Sequence, residues 1–129
     1  MKRVTGIGGV FIKSADPERL RAWYQRHLGL ELQPWGGAVF LWRDGGEHAA
    51  EGATVWNVFD AGSTYFDPSP AGFMVNYRVD DLDAVLAALR AEGCNVDERV
   101  EDGELGRFGW VMDPDGNRVE LWQPPAPPG

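Results

Sequence analysis

The sequence is poor in the residues that bind zinc or form disulfide bonds. Its 129 residues include one cysteine, Cys94, and two histidines. A single cysteine cannot form an intramolecular disulfide and cannot supply a cluster of thiolate ligands. These scarcities exclude a disulfide-stabilised secreted scaffold and a zinc-ribbon protein.

Basic residues and long apolar runs are scarce as well. The 12 Lys and Arg residues against 20 Asp and Glu residues give a formal charge of −8. This charge has the wrong sign for neutralising phosphates, so we expect no nucleic-acid partner and no binding to an anionic membrane. No apolar run approaches the roughly 20 residues that cross a bilayer, and the first residues have no apolar signal core. We therefore expect a cytoplasmic protein.

Tryptophan, in contrast, is abundant. The chain has 6 Trp residues, and 43% of its residues are hydrophobic. This apolar content suits one globular domain and is too small for two ordinary ones. The surplus of tryptophan is the compositional feature that a functional interpretation has to explain.

The first half of the chain reads as a strand, a helix and further strands. Residues 9–13 are rich in β-forming side chains, and Asp16 and Pro17 after them favour a helix start. Apolar residues recur at helical spacing from Leu20 to Leu28, and Gly29 favours a helix end. Strand-like segments follow at residues 38–42 and 54–59. Residues 62–72, which contain Pro68 and Pro70, are predicted to be a linker without structure of its own.

The second half repeats this order. The capping residues Asp16 and Asp81 are 65 residues apart, and the stop residues Gly29 and Gly93 are 64 apart. Strands are predicted at residues 73–79, 95–100, 107–112 and 118–122. We interpret the repeat as a duplication, with modules 6–62 and 72–123 inside a single domain that covers residues 1–129. Prolines dominate the tail 124–129, which we expect to be extended and mobile.

Three segments carry a resemblance to a known family. They are Ser-Ala-Asp-Pro at 14–17, Arg-Val-Asp-Asp-Leu-Asp at 78–83 and Asp-Pro-Asp-Gly-Asn-Arg-Val-Glu-Leu at 113–121. Over residues 9–123 the chain resembles the vicinal oxygen chelate (VOC) superfamily, which includes glyoxalase I, bleomycin-resistance proteins and extradiol dioxygenases. The resemblance implies an α+β fold of two βαβββ modules, whose mixed sheet curls around a cleft. It also implies a homodimer.

The resemblance further implies four strand positions that hold a divalent metal. Carried onto this chain they fall on Gly9, Trp56, Met74 and Glu120. Only Glu120 suits a hard or borderline cation, because glycine and tryptophan offer no ligand atom and a thioether prefers soft ions. His27 lies on the apolar face of the predicted helix and His48 lies in a loop, so neither is assigned as a ligand. We expect no metal and no other cofactor.

Strand alternation predicts which side chains face the cleft. The polar members of this set are Asn76, Arg78 and Glu120, and Arg78 and Arg118 are candidate ion-pair partners for Glu120. Alternatively, the large side chains simply fill the cleft as a core. The predicted apolar lining is Phe11, Trp56, Met74, Trp110 and Trp122.

Three functions remain open from the sequence. The first is a protein that binds a small planar or cationic molecule by stacking, cation–π contact and long-range attraction. The second is a glyoxalase-type lyase or isomerase, or a dioxygenase-like enzyme, acting on a small carbonyl substrate with Glu120 as a general base or metal ligand. The third is an accessory domain whose cleft is filled by its own side chains.

Overall fold

A computed structural model describes residues 3–42 and 52–125 of the chain. The predicted loop residue His48 and most of the proline-rich tail lie outside these ranges. The elements in chain order are β1 (Val4–Ser14), α1 (Pro17–Leu28), β2 (Ala38–Leu41), β3 (Ala53–Asp60), β4 (Phe73–Val79), α2 (Leu82–Ala91), β5 (Asn95–Val96), β6 (Glu101–Gly103), β7 (Gly106–Met112) and β8 (Arg118–Gln123).

Both helices begin where an aspartate side chain accepts a backbone N–H. Asp16 Oδ1 accepts from the N–H of Arg19 at 3.2 Å, and Asp81 Oδ1 accepts from the N–H of Ala84 at 3.1 Å. These bonds satisfy amide groups that a helix start leaves without a partner. Helix α1 ends at Gly29, which adopts a φ of 70°. The predicted helix starts and the first helix end are thus present in the structure.

The strands form one mixed sheet in the order β2-β3-β1-β4-β8-β7-β5, with β6 pairing β7. Each half contains a parallel pair, β1 with β3 and β4 with β8, and the halves join through the antiparallel pair β1 and β4. Two helices and a mixed sheet built from two similar halves confirm the predicted α+β class.

One face of the sheet packs against the helices. The α2 side chains Leu82, Val85 and Leu86 form a buried cluster with Val79 and Leu121. Gly109 allows the close approach of this helix, because a Cβ there would lie 3.1 Å from Leu86 Cδ1. No helix of the described residues is long and apolar enough to cross a membrane.

The opposite face carries a second buried cluster, and residues 61–72 contribute to it. Phe66 is fully buried with Met74 and Trp110. The N–H of Asp67 donates to the carbonyl of Thr64 at 3.0 Å, and the N–H of Ser69 donates to the carbonyl of Phe66 at 2.9 Å. The prediction of an unstructured linker at 62–72 is therefore wrong. Its aromatic side chains give this segment apolar area to bury, which the proline and glycine signals did not reveal.

Candidate ligand-binding cleft

A cavity of about 540 Å³ opens on the sheet face opposite the helices. We call this cavity the cleft. Its walls come from β1, β2, β3, β4, β7 and β8, together with the loops before β2, after β3 and before β7. The lining residues are Gly8, Phe11, Trp35, Val39, Val55, Asn57, Phe59, Tyr65, Asn76, Leu105, Phe108, Glu120 and Trp122.

Aromatic rings form two walls of the cleft. On one side Phe11 meets Phe59 edge to face, with ring centroids 5.7 Å apart. On the other side Phe108 stacks on Trp122 with an interplanar angle of 12°. The indole N–H of Trp122 donates to the carbonyl of Leu105 at 2.7 Å, which fixes the ring. Both walls present ring surfaces suited to stacking or edge contacts.

Trp35 adds a wall from a loop. About half of its surface is exposed, and it lines the cleft beside Val39. A Cβ on Gly37 would lie 1.9 Å from the indole atom Cζ3, so glycine is needed at that position for the ring to lie where it does. Strand alternation could not identify Trp35, because this residue is not in a strand.

The buried carboxylate of Glu120 lies at the floor of the cleft. Only 1% of the residue is exposed. Asn76 Nδ2 donates to Oε1 at 2.7 Å, and the indole N–H of Trp110 donates to Oε2 at 2.9 Å. The hydroxyl of Tyr65 donates to Oε2 as well. The partners of this carboxylate are therefore neutral donors rather than the predicted arginines.

Tyr65 stays protonated in this arrangement. Burial and the nearby negative charge of Glu120 raise the pKa of the Tyr65 phenol far above its usual value. Its ring stacks on Phe59 at a centroid distance of 5.3 Å. Tyr65 thus acts as a fixed hydrogen-bond donor to Glu120 and as part of the cleft wall.

Gly8 has no room for a side chain. A Cβ there would lie 2.4 Å from Asn76 Oδ1 and 2.7 Å from Trp122 Cε3. Real Cβ atoms do not approach other atoms so closely, so a substitution must displace the amide or the indole. The Asn76 amide and the Trp122 ring thus occupy the space that a side chain at Gly8 would need.

The structure brings together four of the predicted site residues. Phe11, Asn76, Glu120 and Trp122 line the cleft. Met74 and Trp110 lie beneath it, buried with Phe66, and Trp110 reaches the cleft floor only through its N–H.

Trp56 and Arg78 lie elsewhere. Trp56 packs against Tyr24 of α1, at a centroid distance of 4.8 Å, on the helix side of the sheet. Its neighbour Asn57 faces the cleft and pairs in register with Phe11. The sequence prediction matched Trp56 to Glu120 through the repeat of 64 residues, and this match is wrong by one residue. A shift of one residue moves every side chain of a strand to the opposite face. The Arg78 guanidinium lies 5.6 Å from the Trp42 ring centroid and outside the cleft lining.

Arg118 also departs from its predicted pairing. Its Nη1 lies 3.3 Å from Asp97 Oδ2, and its guanidinium lies 4.8 Å from the Trp110 ring centroid. It therefore pairs with the carboxylate of Asp97 and not with that of Glu120. The sequence did not single out Asn57, Phe59 or Tyr65, which the fold places in the cleft.

Few of the side chains that commonly bind metals line the cleft. Within residues 3–42 and 52–125 no three His, Cys, Asp or Glu side chains cluster to hold one. The strand positions that face the cleft floor carry Gly8, Asn57, Asn76 and Glu120. Both oxygens of Glu120 already accept hydrogen bonds, and the donating groups Asn76 Nδ2 and Trp110 N–H offer no lone pair to a metal. Glu120 is thus a carboxylate whose negative charge is stabilised by neutral hydrogen-bond donors.

The family of the chain follows from a model match that covers most of its length. The model of the glyoxalase-like domain matches residues 9–122, so the chain belongs to that family. This match confirms the predicted resemblance to the VOC superfamily. No curated protein matches the sequence.

Methylmalonyl-CoA epimerases are among the similar solved structures. The Mycobacterium tuberculosis enzyme is 25% identical, with a TM-score of 0.66, over 98% of this chain and 92% of that chain. A methylmalonyl-CoA epimerase in complex with methylmalonyl-CoA and NH4+ is 19% identical, with a TM-score of 0.67, over 95% of this chain and 96% of that one.

A superfamily member from Vibrio splendidus 12B01 is also similar. It is 12% identical, with a TM-score of 0.58, and the match covers 91% of this chain and 97% of that chain. At this level of identity the similarity is one of fold, and the site has to be interpreted from its own residues.

Proposed function

We propose that this glyoxalase-like protein binds a small planar molecule, uncharged or cationic, in the cleft, without a divalent metal. The observation that carries the proposal is the combination of aromatic walls with a single buried carboxylate. Among the described residues that line the cleft there is no Lys and no Arg. A cavity of about 540 Å³ lies within the range of small-molecule sites, roughly 300–1,000 Å³.

The shape of the cleft favours a planar ring. Phe108 and Trp122 stack on each other, and Trp35 stands at the mouth with half of its surface exposed. A flat ligand that contacts these rings gains apolar burial and aromatic contact together. Because aromatic faces also attract cations, a positive charge on the ligand adds to the same contacts.

The charge of the chain favours an uncharged or cationic ligand over an anion. The formal charge is −8, and Glu120 is the one carboxylate among the described residues that line the cleft. A negative field attracts cations and raises their rate of encounter, and salt screens this attraction. An anionic ligand would meet repulsion from the chain as a whole and no basic side chain within the described lining.

Fluorescence titration tests the proposal with three bicyclic probes: N-methylquinolinium, quinoline and naphthoate. Trp35 and Trp122 line the cleft, so a bound probe is expected to quench their emission. We expect saturable quenching by the cation and by the neutral ring, with naphthoate binding about tenfold or more weakly, a difference of ~1.4 kcal/mol. Absence of saturable quenching by both favoured probes at millimolar concentration would refute the proposal.

A matched pair of tryptophan variants locates the binding site. Trp35→Ala removes a cleft wall, whereas Trp23→Ala removes an indole of similar exposure on α1. We expect the first variant to weaken N-methylquinolinium binding and the second to leave it unchanged. Equal effects of the two variants would mean that the probe binds outside the cleft.

A second candidate function is a glyoxalase-type enzyme that moves a proton on a small carbonyl substrate. The similarity to the methylmalonyl-CoA epimerase of Mycobacterium tuberculosis supports it, as does a carboxylate in the cleft. Glu120 would accept the proton from the carbon next to the carbonyl and return it to that carbon.

Two observations oppose this second candidate function. Both oxygens of Glu120 already accept hydrogen bonds, and the phosphates of a CoA thioester would meet a chain of charge −8.

Deuterium exchange tests the enzyme directly. In deuterium oxide, an epimerase activity would introduce deuterium at the α-carbon of methylmalonyl-CoA, and Glu120→Gln would abolish the exchange. The surface variant Glu98→Gln serves as the control. Exchange that persists unchanged in Glu120→Gln excludes Glu120 as the base, and absence of exchange in the unaltered protein excludes this activity on this substrate.

A further inference from the structure

A second cavity shares the lining residue Tyr65 with the cleft. Its volume is about 440 Å³. Tyr65 lines both cavities, so its ring forms a shared wall. Where the cleft is mostly apolar, this second cavity is lined mainly by charged side chains, and we call it the charged cavity. Its charged lining residues are Asp67, Asp97, Arg99, Glu101 and Arg118.

Arg118 is buried with part of its hydrogen-bonding capacity unused. Only 6% of the residue is exposed. Its Nη1 pairs with Asp97 Oδ2 at 3.3 Å, which is long for a charged hydrogen bond. Its Nε is buried and has no hydrogen-bond partner among the residues that the structure describes. A buried donor without a partner is unfavourable, and an acceptor in the cavity would remove that penalty.

A second guanidinium, that of Arg99, also lines the charged cavity. The guanidinium of Arg99 lies 5.0 Å from the Trp110 ring centroid, and the guanidinium of Arg118 lies 4.8 Å from it. Arg99 Nε lies 3.7 Å from Glu101 Oε1, a loose ion pair in which the arginine side chain remains 57% exposed. Each guanidinium presents a fork of N–H donors that matches a carboxylate, and the cavity is lined by both arginines.

Three carboxylates surround the same cavity, and they set the charge that a ligand must have. The backbone N–H of Arg99 lowers the pKa of Asp97, and the hydrogen bond from Arg118 lowers it further, so Asp97 is ionised at neutral pH. Asp67 and Glu101 add two further negative charges to the lining. A simple anion would be attracted by two arginines and repelled by three carboxylates.

We propose that the charged cavity binds a small zwitterion that carries a carboxylate next to an ammonium group. The carboxylate lies between the guanidiniums of Arg99 and Arg118, and the ammonium faces the acidic side chains. The ammonium offsets the repulsion that an isolated carboxylate would meet. This site is separate from the cleft, and it does not depend on what the cleft binds.

Glycine is the simplest probe of this site, and acetate and methylammonium each carry one of its two charged groups. The measurement is the NMR signal of the Arg118 Nε–H group in the full chain, assigned by its loss in Arg118→Lys. We expect glycine to shift this signal saturably, with an affinity about tenfold or more above that of acetate. Methylammonium is expected to give no saturable shift.

Two variants of exposed arginines complete the test. Arg99→Gln removes one of the proposed carboxylate donors, and Arg19→Gln on α1 removes the same charge away from the cavity. We expect the first to weaken glycine binding about tenfold and the second to leave it unchanged. The proposal is overturned if glycine gives no saturable shift, if acetate binds as tightly as glycine, or if the two variants behave alike. Any of these results would leave the proposal for the cleft untouched.

Discussion

Glu120 is a buried carboxylate that accepts hydrogen bonds from three neutral groups, on Tyr65, Asn76 and Trp110. Burying a carboxylate is strongly unfavourable unless its oxygens are hydrogen-bonded. The donors come from β4, from β7 and from the segment 61–72, so the carboxylate connects three parts of the chain. The sequence predicted that Glu120 lies in the cleft near Asn76. It could not predict the role of Tyr65, because the fold of the segment that carries it was not apparent.

A glycine substitution tests the tight packing at the cleft floor. In Gly8→Ala the new Cβ would lie 2.4 Å from Asn76 Oδ1, so the amide and its bond to Glu120 must shift. We expect a loss of about 1–3 kcal/mol in the free energy of unfolding, measured by urea denaturation, and weaker probe binding. The control is Gly72→Ala, since a Cβ at Gly72 meets nothing within 4 Å. Equal stability of the two variants would contradict the predicted crowding.

Removal of one hydroxyl tests the bond between Tyr65 and Glu120. In Tyr65→Phe the carboxylate loses a donor, and we expect the protein to lose about 1–3 kcal/mol in the free energy of unfolding near pH 7.

The difference in the free energy of unfolding between the unaltered protein and Tyr65→Phe is expected to depend on pH. The raised pKa keeps Tyr65 protonated in the folded chain, whereas in the unfolded chain a tyrosine ionises near pH 10. The stabilisation is therefore complete below about pH 10 and declines at higher pH. Urea denaturation between about pH 8 and pH 11 should show the advantage over Tyr65→Phe shrinking as the pH rises. A constant difference would show that the phenol is not selectively protected.

The elements of secondary structure could be predicted to differing extents. Aspartate caps and apolar spacing located both helices, because these signals are local. The faces of β4, β7 and β8 followed from alternation, and Val119 and Leu121 do pack against α2 while Glu120 faces the cleft. The cleft face of β3 was predicted wrongly, because the cleft-facing residue of this strand was inferred from the repeat and not from the strand's own pattern. A one-residue difference between the two halves is enough to place Asn57, and not Trp56, in the cleft.

The segment 61–72 is expected to make a large contribution to stability although it contains no strand or helix. Phe66 is fully buried against Met74 and Trp110. We expect Phe66→Ala to lower the free energy of unfolding by about 3–5 kcal/mol, as measured by urea denaturation. The control is Phe73→Ala, which removes the same side chain where 48% of it is exposed and should change stability by about 1 kcal/mol or less. Similar losses from the two variants would mean that the segment is not packed as described.

At the scale of the whole molecule, exposed apolar side chains support the proposal of a homodimer. Phe40 and Leu28 expose 48% and 59% of their surface beside the edge strand β2. Together with Leu41 they line a shallow surface pocket. Such surface on one chain marks an interaction site, and a second copy provides the same apolar groups in return.

Sedimentation velocity tests the dimer. We expect the unaltered protein to sediment as a dimer at micromolar concentration and Phe40→Lys to shift the population toward the monomer. The matching substitution Phe73→Lys, at an equally exposed phenylalanine on β4, is expected to leave the dimer intact. A monomer at every concentration, or equal effects of the two lysines, would reject β2 as the contact.

The position of β1 in the sheet has a consequence for how the chain is made. This strand is synthesised before β3 and β4, with which it pairs, and the partner residues lie far along the chain. Pairings between distant residues slow folding, because a long loop must close before any contact forms. Until β4 leaves the ribosome, one edge of β1 is open, and an open edge can pair with another nascent chain. The interval before β4 emerges is therefore a stage of synthesis at which aggregation competes with folding.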